Sequence, residues 1–259
     1  MFERLQKPFL TVETGEAYQP IRLTYELLEK NKLIESLNKL KCCEKKSSGE
    51  SWDWFWRDEC DDLHFESIDS FKKNPSRAIR LGTITIREGS LYLNLPSFKR
   101  ACLGVPFFYK LINETVAKPD HADFINKVFG IDERLPHGFA ELFNEDELEK
   151  IVRERIERYE RVQDQCEHAK TAEEAFNILS TYTKDEARHK LPYAERYSFH
   201  HAEPGTDPDV IFLGFYIFLR GRELVAIRRW FGETNLTLAD VAEQTIEKVF
   251  GGMNIDIIE

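Results

Sequence analysis

The sequence predicts an α+β protein in which antiparallel β-hairpins pack with amphipathic helices. Three observations carry this. Short runs rich in Ile, Phe, Tyr and Leu are joined by tight glycine turns, at Arg87-Glu88-Gly89 and at Arg220-Gly221-Arg222. Capped helical segments follow both runs. A long charged helical hairpin separates them, so the flanking stretches read as two ββα-like units about 130 residues apart, either an internal duplication or two hairpins that merely share a plan.

The stretch 209–252 is the clearest block. Residues 210–219 form an apolar run broken only by Gly214, too short for a bilayer span, which takes about 20 residues. Its β-branched and aromatic content predicts a strand buried on both faces. Gly221 then turns the chain, and 224–231 returns as a second strand. Thr237 and Asp240 form a capping box for a helix whose apolar face carries Leu238, Val241, Ala242, Ile246, Val249 and Phe250. Gly251-Gly252 ends it. The stretch 78–115 repeats the plan, with Leu81-Gly82 opening a hairpin and Ser97 opening a helix.

In chain order, residues 21–40 read as one or two helices, because Leu23, Leu27, Leu28, Ile34, Leu37 and Leu40 fit one helical face. Residues 41–46 and 51–58 flank a Ser-Ser-Gly turn and predict a hairpin. Trp52, Trp54 and Trp56 alternate along its return arm and share one face. After the hairpin at 78–95 come two helices, 97–103 and 106–116, with Pro106 in the first turn of the second. Residues 117–143 lose periodicity and read as loops and irregular helix. Asn144 caps a charged helix running to about residue 169, with Leu148, Ile151, Val152, Ile156, Tyr159, Val162 and Cys166 as its narrow apolar stripe. Thr171 and Glu174 cap its partner, which runs to about residue 190, and 193–201 reads as a strand. The domain reading is an N-terminal α+β lobe at 1–118, a helical connector at 119–190 and a C-terminal ββα lobe at 191–259, or one fused domain.

Composition bounds the function. The chain has 259 residues, 42% hydrophobic and 32% charged, which suits a folded domain with an adequate core. The first residues carry no apolar signal segment, and five scattered cysteines read as reduced thiols, so a cytoplasmic location is expected. No membrane association is expected. The net charge of −10 disfavours polyanion partners unless a local basic patch carries them. P-loop, GxGxxG, GxSxG and HExxH patterns are all missing from the sequence. No cofactor is predicted.

Four clusters could carry chemistry. Asp58, Asp61, Asp62 and His64 form an acidic turn beside the tryptophan hairpin and are candidate metal ligands, although the cysteine spacing nearby (Cys42, Cys43, Cys60) does not suit zinc. His201, Glu203, Asp207 and Asp209 could converge as a hard-ligand or acid/base site if their loop folds over. Glu186 and His189 make one ExxH pair, where a di-iron bundle needs two. Arg220, Arg222, Arg228, Arg229 and Trp230 could grip a single nucleic-acid strand from the predicted hairpin. The expected function is a non-catalytic, macromolecule-binding adaptor or regulatory protein. Its partner would be a protein or a second copy of the chain, engaged through Trp52, Trp54, Trp56, Arg228 and Trp230 and the long helix. The alternatives are a metal-dependent hydrolase using the His201–Asp209 loop and a single-stranded nucleic-acid binder.

Overall fold

The computed structural model describes residues 8–65, 78–136, 139–199 and 207–250. Within them, seven antiparallel strands and six helices form the predicted α+β architecture. The strands are β1 (Ile21–Leu27), β2 (Cys43–Lys45), β3 (Ser51–Phe55), β4 (Arg80–Arg87), β5 (Ser90–Leu95), β6 (Ala117–Ile125) and β7 (Ala194–Ser198), in the spatial order β2-β3-β4-β5-β1-β6-β7. The helices are α1 (Lys30–Lys39), α2 (Phe98–Leu111), α3 (Glu145–Glu167), α4 (Ala172–Arg188), α5 (Pro208–Trp230) and α6 (Leu238–Phe250).

Strand alternation builds the core. Ile21, Leu23 and Tyr25 of β1, Leu91, Leu93 and Leu95 of β5, and Ala122 and Phe124 of β6 point to one face of the sheet and join a single buried cluster. The helices α1, α2 and α5 supply Leu33 and Leu37, Phe98, Ala101, Val105 and Phe108, and Phe215 and Leu219 to it. The start of the predicted first helix is thus a strand. Leu23 and Leu27 satisfy a helical and a strand period alike, and Ile21-Leu23-Tyr25 pairs in register with both β5 and β6.

The two N-terminal hairpins form as predicted. Glu88 and Gly89 both take positive φ (51° and 77°) in the two-residue β4–β5 turn, the geometry that matches strand twist. Gly82 has a different duty. A Cβ there would stand 2.4 Å from Leu95 Cδ2 and 2.7 Å from the Asn94 carbonyl oxygen, so β4 and β5 approach more closely than any side chain allows. Gly82→Ala is expected to lower the urea midpoint at unchanged m, by roughly 1–3 kcal/mol of overpacking. An unchanged midpoint would mean that the two strands separate freely at this point.

Three further elements depart from expectation. Residues 98–111 form one helix through Pro106 rather than two, because Phe98, Ala101, Val105 and Phe108 hold a continuous buried face across it. The proline's lost hydrogen bond is outweighed by packing. Residues 117–125 form β6, between β1 and the edge strand β7. Pro119 disguised it, but the register shifts between Thr24 and Tyr25, and the proline sits at this irregularity, where a missing N–H costs no ladder bond. The third departure is the largest. The stretch 210–231, predicted as two strands and a turn, is instead the single 23-residue helix α5 (Pro208–Trp230) and its C-cap Phe231. Asp207 as N-cap and Pro208 at the first turn mark its start. Gly221 is not a turn but a contact point, where α5 passes α6 and a Cβ would meet Leu238 Cδ2 at 3.3 Å. The ββα duplication therefore fails: 78–111 is strand–strand–helix, whereas 208–250 is helix–helix. The capping box at Thr237 and Asp240 holds, with each residue's backbone N–H donating to the other's side chain. The predicted Gly251-Gly252 stop lies outside the described residues.

Candidate functional site

The helix α5 is apolar on nearly every side, which is why its sequence lacks a helical period. Its inner side is anchored by aromatic contacts. Phe215 meets Tyr197 and Phe199 with ring centroids 5.1 and 5.0 Å apart, and Phe218 meets Tyr197 at 4.8 Å and Phe124 at 5.7 Å. Its outer side is open: Val210, Leu213 and Ile217 are 59%, 56% and 61% exposed. These lie at i, i+3 and i+7, so they form one stripe, widened by Gly214 and Tyr216. No charge interrupts the face between Asp209 and Arg220. Exposed apolar faces are common at the contact surfaces of proteins.

A buried charged cluster holds this helix to the sheet. Glu195 of β7 is fully buried and accepts from Arg222 of α5 twice, at 2.7 and 3.1 Å. It also pairs with Arg155 of α3 and accepts from Asn126 Nδ2 at 2.6 Å. Burial pushes the Glu195 carboxyl upward, but the Arg222 and Arg155 guanidinium groups outweigh it and hold the group at about 2. The Arg222 guanidinium lies 3.4 Å over the Phe218 ring, so the aromatic and ionic anchors of α5 meet.

The sheet's other face is polar. One row of cross-strand neighbours runs Asp53, Thr83, Asn94, Arg22, Asp123, Arg196, and the next runs Ser51, Thr85, Tyr92, Thr24, His121, Ser198. Buried Asp123 accepts from Arg196 at 2.6 and 3.0 Å and lies 3.5 Å from His121 Nε2, while His121 Nδ1 lies 2.6 Å from Asp120. Burial raises the Asp123 carboxyl, and bonding from His121 and Arg196 more than offsets this, so it lies below the usual carboxylate range. Part of this face is covered, with Phe143 stacked 5.2 Å from the Arg22 guanidinium. None of these residues stood out in the sequence, because β6 was not recognised. The alternation Asp-His-Ala-Asp-Phe at 120–124 was the available signal.

The predicted site residues are dispersed. Trp52 and Trp54 are wholly buried, so they are core rather than a partner surface. Trp52 donates to Asn38 Oδ1 at 3.0 Å, and Trp54 stacks on Phe107 and donates to Cys60 Sγ at 3.0 Å. Trp56 is half-buried against Phe65. The acidic turn does not gather its predicted ligands. Asp61, Asp62 and His64 are exposed, Asp58 lies 3.8 Å from Arg57, and Glu59 accepts from the Lys41 and Cys42 backbone N–H groups. Among the described residues no three His, Cys, Asp or Glu side chains are placed to hold a metal ion. All five cysteines are free. Asp207 accepts from the Asp209 N–H at 2.9 Å, so this pair opens α5. His201 and Glu203 lie outside the described residues. Arg228 and Trp230 are on a helix, which removes the strand geometry of the nucleic-acid reading. Arg228 pairs with Glu233 and Gln244, and Trp230 packs over Gly130. Glu186 of the ExxH pair bonds Arg158 of α3.

The helical hairpin adds a second exposed apolar region. Of the predicted α3 stripe only Leu148 is buried; Ile156 and Tyr159 of α3 are exposed, as are Phe176 and Leu179 of α4. No helix of the described residues is long and apolar enough to cross a membrane. Comparison of the chain with family models, curated proteins and solved structures finds no match.

Proposed function

We propose that this chain is a non-catalytic protein-binding module that associates with a second copy of itself through the outer face of α5. The exposed Val210-Leu213-Ile217 stripe is the observation that carries this. The face is also self-complementary. In an antiparallel pair of α5 helices centred beside Gly214, Asp209 of one copy stands opposite Arg220 of the other and adds a second acid to the one Arg220 already holds, Glu223, and the reverse contact follows by symmetry. Gly214, with no Cβ, permits close approach at that centre. The ten residues between the two charges set them about 16 Å apart along the helix, enough for about three turns of apolar contact. An adaptor or regulatory role fits such a surface. The basic residues of α5 favour this over a nucleic-acid role, since Arg222 and Arg228 are already paired with acids.

Leu213→Arg places a charge in the middle of the face without touching the core. The full-length chain is expected to have twice the 30.4 kDa monomer mass by light scattering, and the variant the monomer mass. Phe176→Arg on α4 is the control and should leave the doubled mass intact. A monomeric native chain at every concentration, or an unaffected Leu213→Arg, overturns the proposal.

A further inference from the structure

A second site lies on the flank of α5. A cavity of about 280 Å³ opens between the N-terminal arm, α2 and α5, with Phe9, Phe98, Leu219 and Ile227 among its apolar walls. Two groups of opposite charge line it without partners. Glu16 is nine-tenths buried, and neither of its carboxylate oxygens accepts a hydrogen bond. The nearby Arg100 guanidinium acts on Glu16 through space only. Its hydrogen bonds go to Thr14 Oγ1 and to the Arg80 and Leu81 carbonyl oxygens. Lys99, on the α2 side, makes no ion pair with a carboxylate among the described residues, although it lies close enough to Cys102 to act on its thiol. The other acid of the wall, Glu223, is paired with Arg220.

A buried carboxylate without a donor is costly, and a ligand that supplies one recovers that cost. Two cations in the same wall, Lys99 and Arg220, oppose a bare divalent metal ion. A molecule with one positive and one negative end satisfies both orphan groups at once. The volume lies just below the usual range for drug-sized ligands, about 300–1,000 Å³, which sets the scale at a small metabolite. We propose that this cavity binds a small zwitterion, an α-amino acid with an apolar side chain, whose ammonium group pairs with Glu16 and whose carboxylate pairs with Lys99. The side chain lodges against Phe9, Phe98, Leu219 and Ile227.

Titration calorimetry on the full-length chain tests this with leucine and phenylalanine, and with 2-phenylethylamine and 3-phenylpropionate as single-charge analogues. At least one of the amino acids is expected to bind saturably, and the matching single-charge analogues at least about tenfold more weakly. Glu16→Gln and Lys99→Met should each weaken the amino acid by at least about tenfold. If Glu16→Gln does not fold, the half-buried Lys99 position and the analogues still decide the matter. Failure of both amino acids to bind at millimolar concentration overturns the proposal, as does equal affinity for a single-charge analogue or unchanged binding by Lys99→Met.

Discussion

Glu195→Gln is expected to lower the unfolding free energy by about 3–5 kcal/mol, the cost of stripping one partner from a buried ion cluster. The glutamine keeps the shape but leaves the Arg222 guanidinium buried without an opposing charge, and deprives Arg155 of its partner. Because Glu195 joins β7 to α3 and α5 at once, the loss should be felt as loosening of both helices against the sheet. Urea titration followed by far-ultraviolet circular dichroism measures it. A variant with the native midpoint would show that aromatic packing alone seats α5. The same residue sets an acid limb. Its carboxyl is held near 2 in the folded chain against an ordinary value of 4.5. Its contribution is therefore complete above the ordinary value and is lost as pH falls from there towards 2. Across that window it adds a slope of about 1.4 kcal/mol per pH unit, which Glu195→Gln should remove.

Trp54→Ala should cost a similar amount, about 3–5 kcal/mol, from cavity formation in the core. The indole stacks on Phe107 at 5.4 Å, meets Phe108 edge-on at 5.0 Å, and lies over Gly104, where a Cβ would be 3.3 Å from the ring. It also ties the short turn at Asp58–Cys60 to β3 through its bond to Cys60. Trp56→Ala, at a half-buried position past the end of β3, should cost clearly less. Thermal unfolding of the two variants side by side reads the difference. Equal losses would contradict the inward placement of Trp54.

Features with a local physical signature were legible in the sequence. The β4–β5 turn needs two positive φ values and shows Glu88-Gly89, and the caps Ser97, Asn144 and Thr171 each accept from a backbone N–H three residues on. What failed were segments whose period is hidden by burial on several sides. The run at 210–219 contacts the core on one side and solvent on the other, with apolar residues on both. Neither a helical nor a strand period emerges, and β-branched content tipped the reading wrongly. The start and packing signals, Asp207-Pro208 and the Gly221 contact with Leu238, were present but outweighed. Pro119 concealed β6 because its tolerance depends on a bulge set by β1, which no local pattern contains. The exposed α5 face was hidden with the helix itself. The aromatic face of β3 was correctly drawn, but alternation alone does not say whether such a face turns inward or outward.

Hydroxyl-radical footprinting of the full-length chain, dilute and concentrated, tests the central claim about α5 most directly. In the single chain Tyr216 is 43% exposed, comparable to Tyr159 and Tyr193 at 49% each. If copies pair through the outer face of α5, Tyr216 becomes protected as concentration rises while Tyr159 and Tyr193 stay reactive. Tyr216 oxidised equally at every concentration would contradict the account.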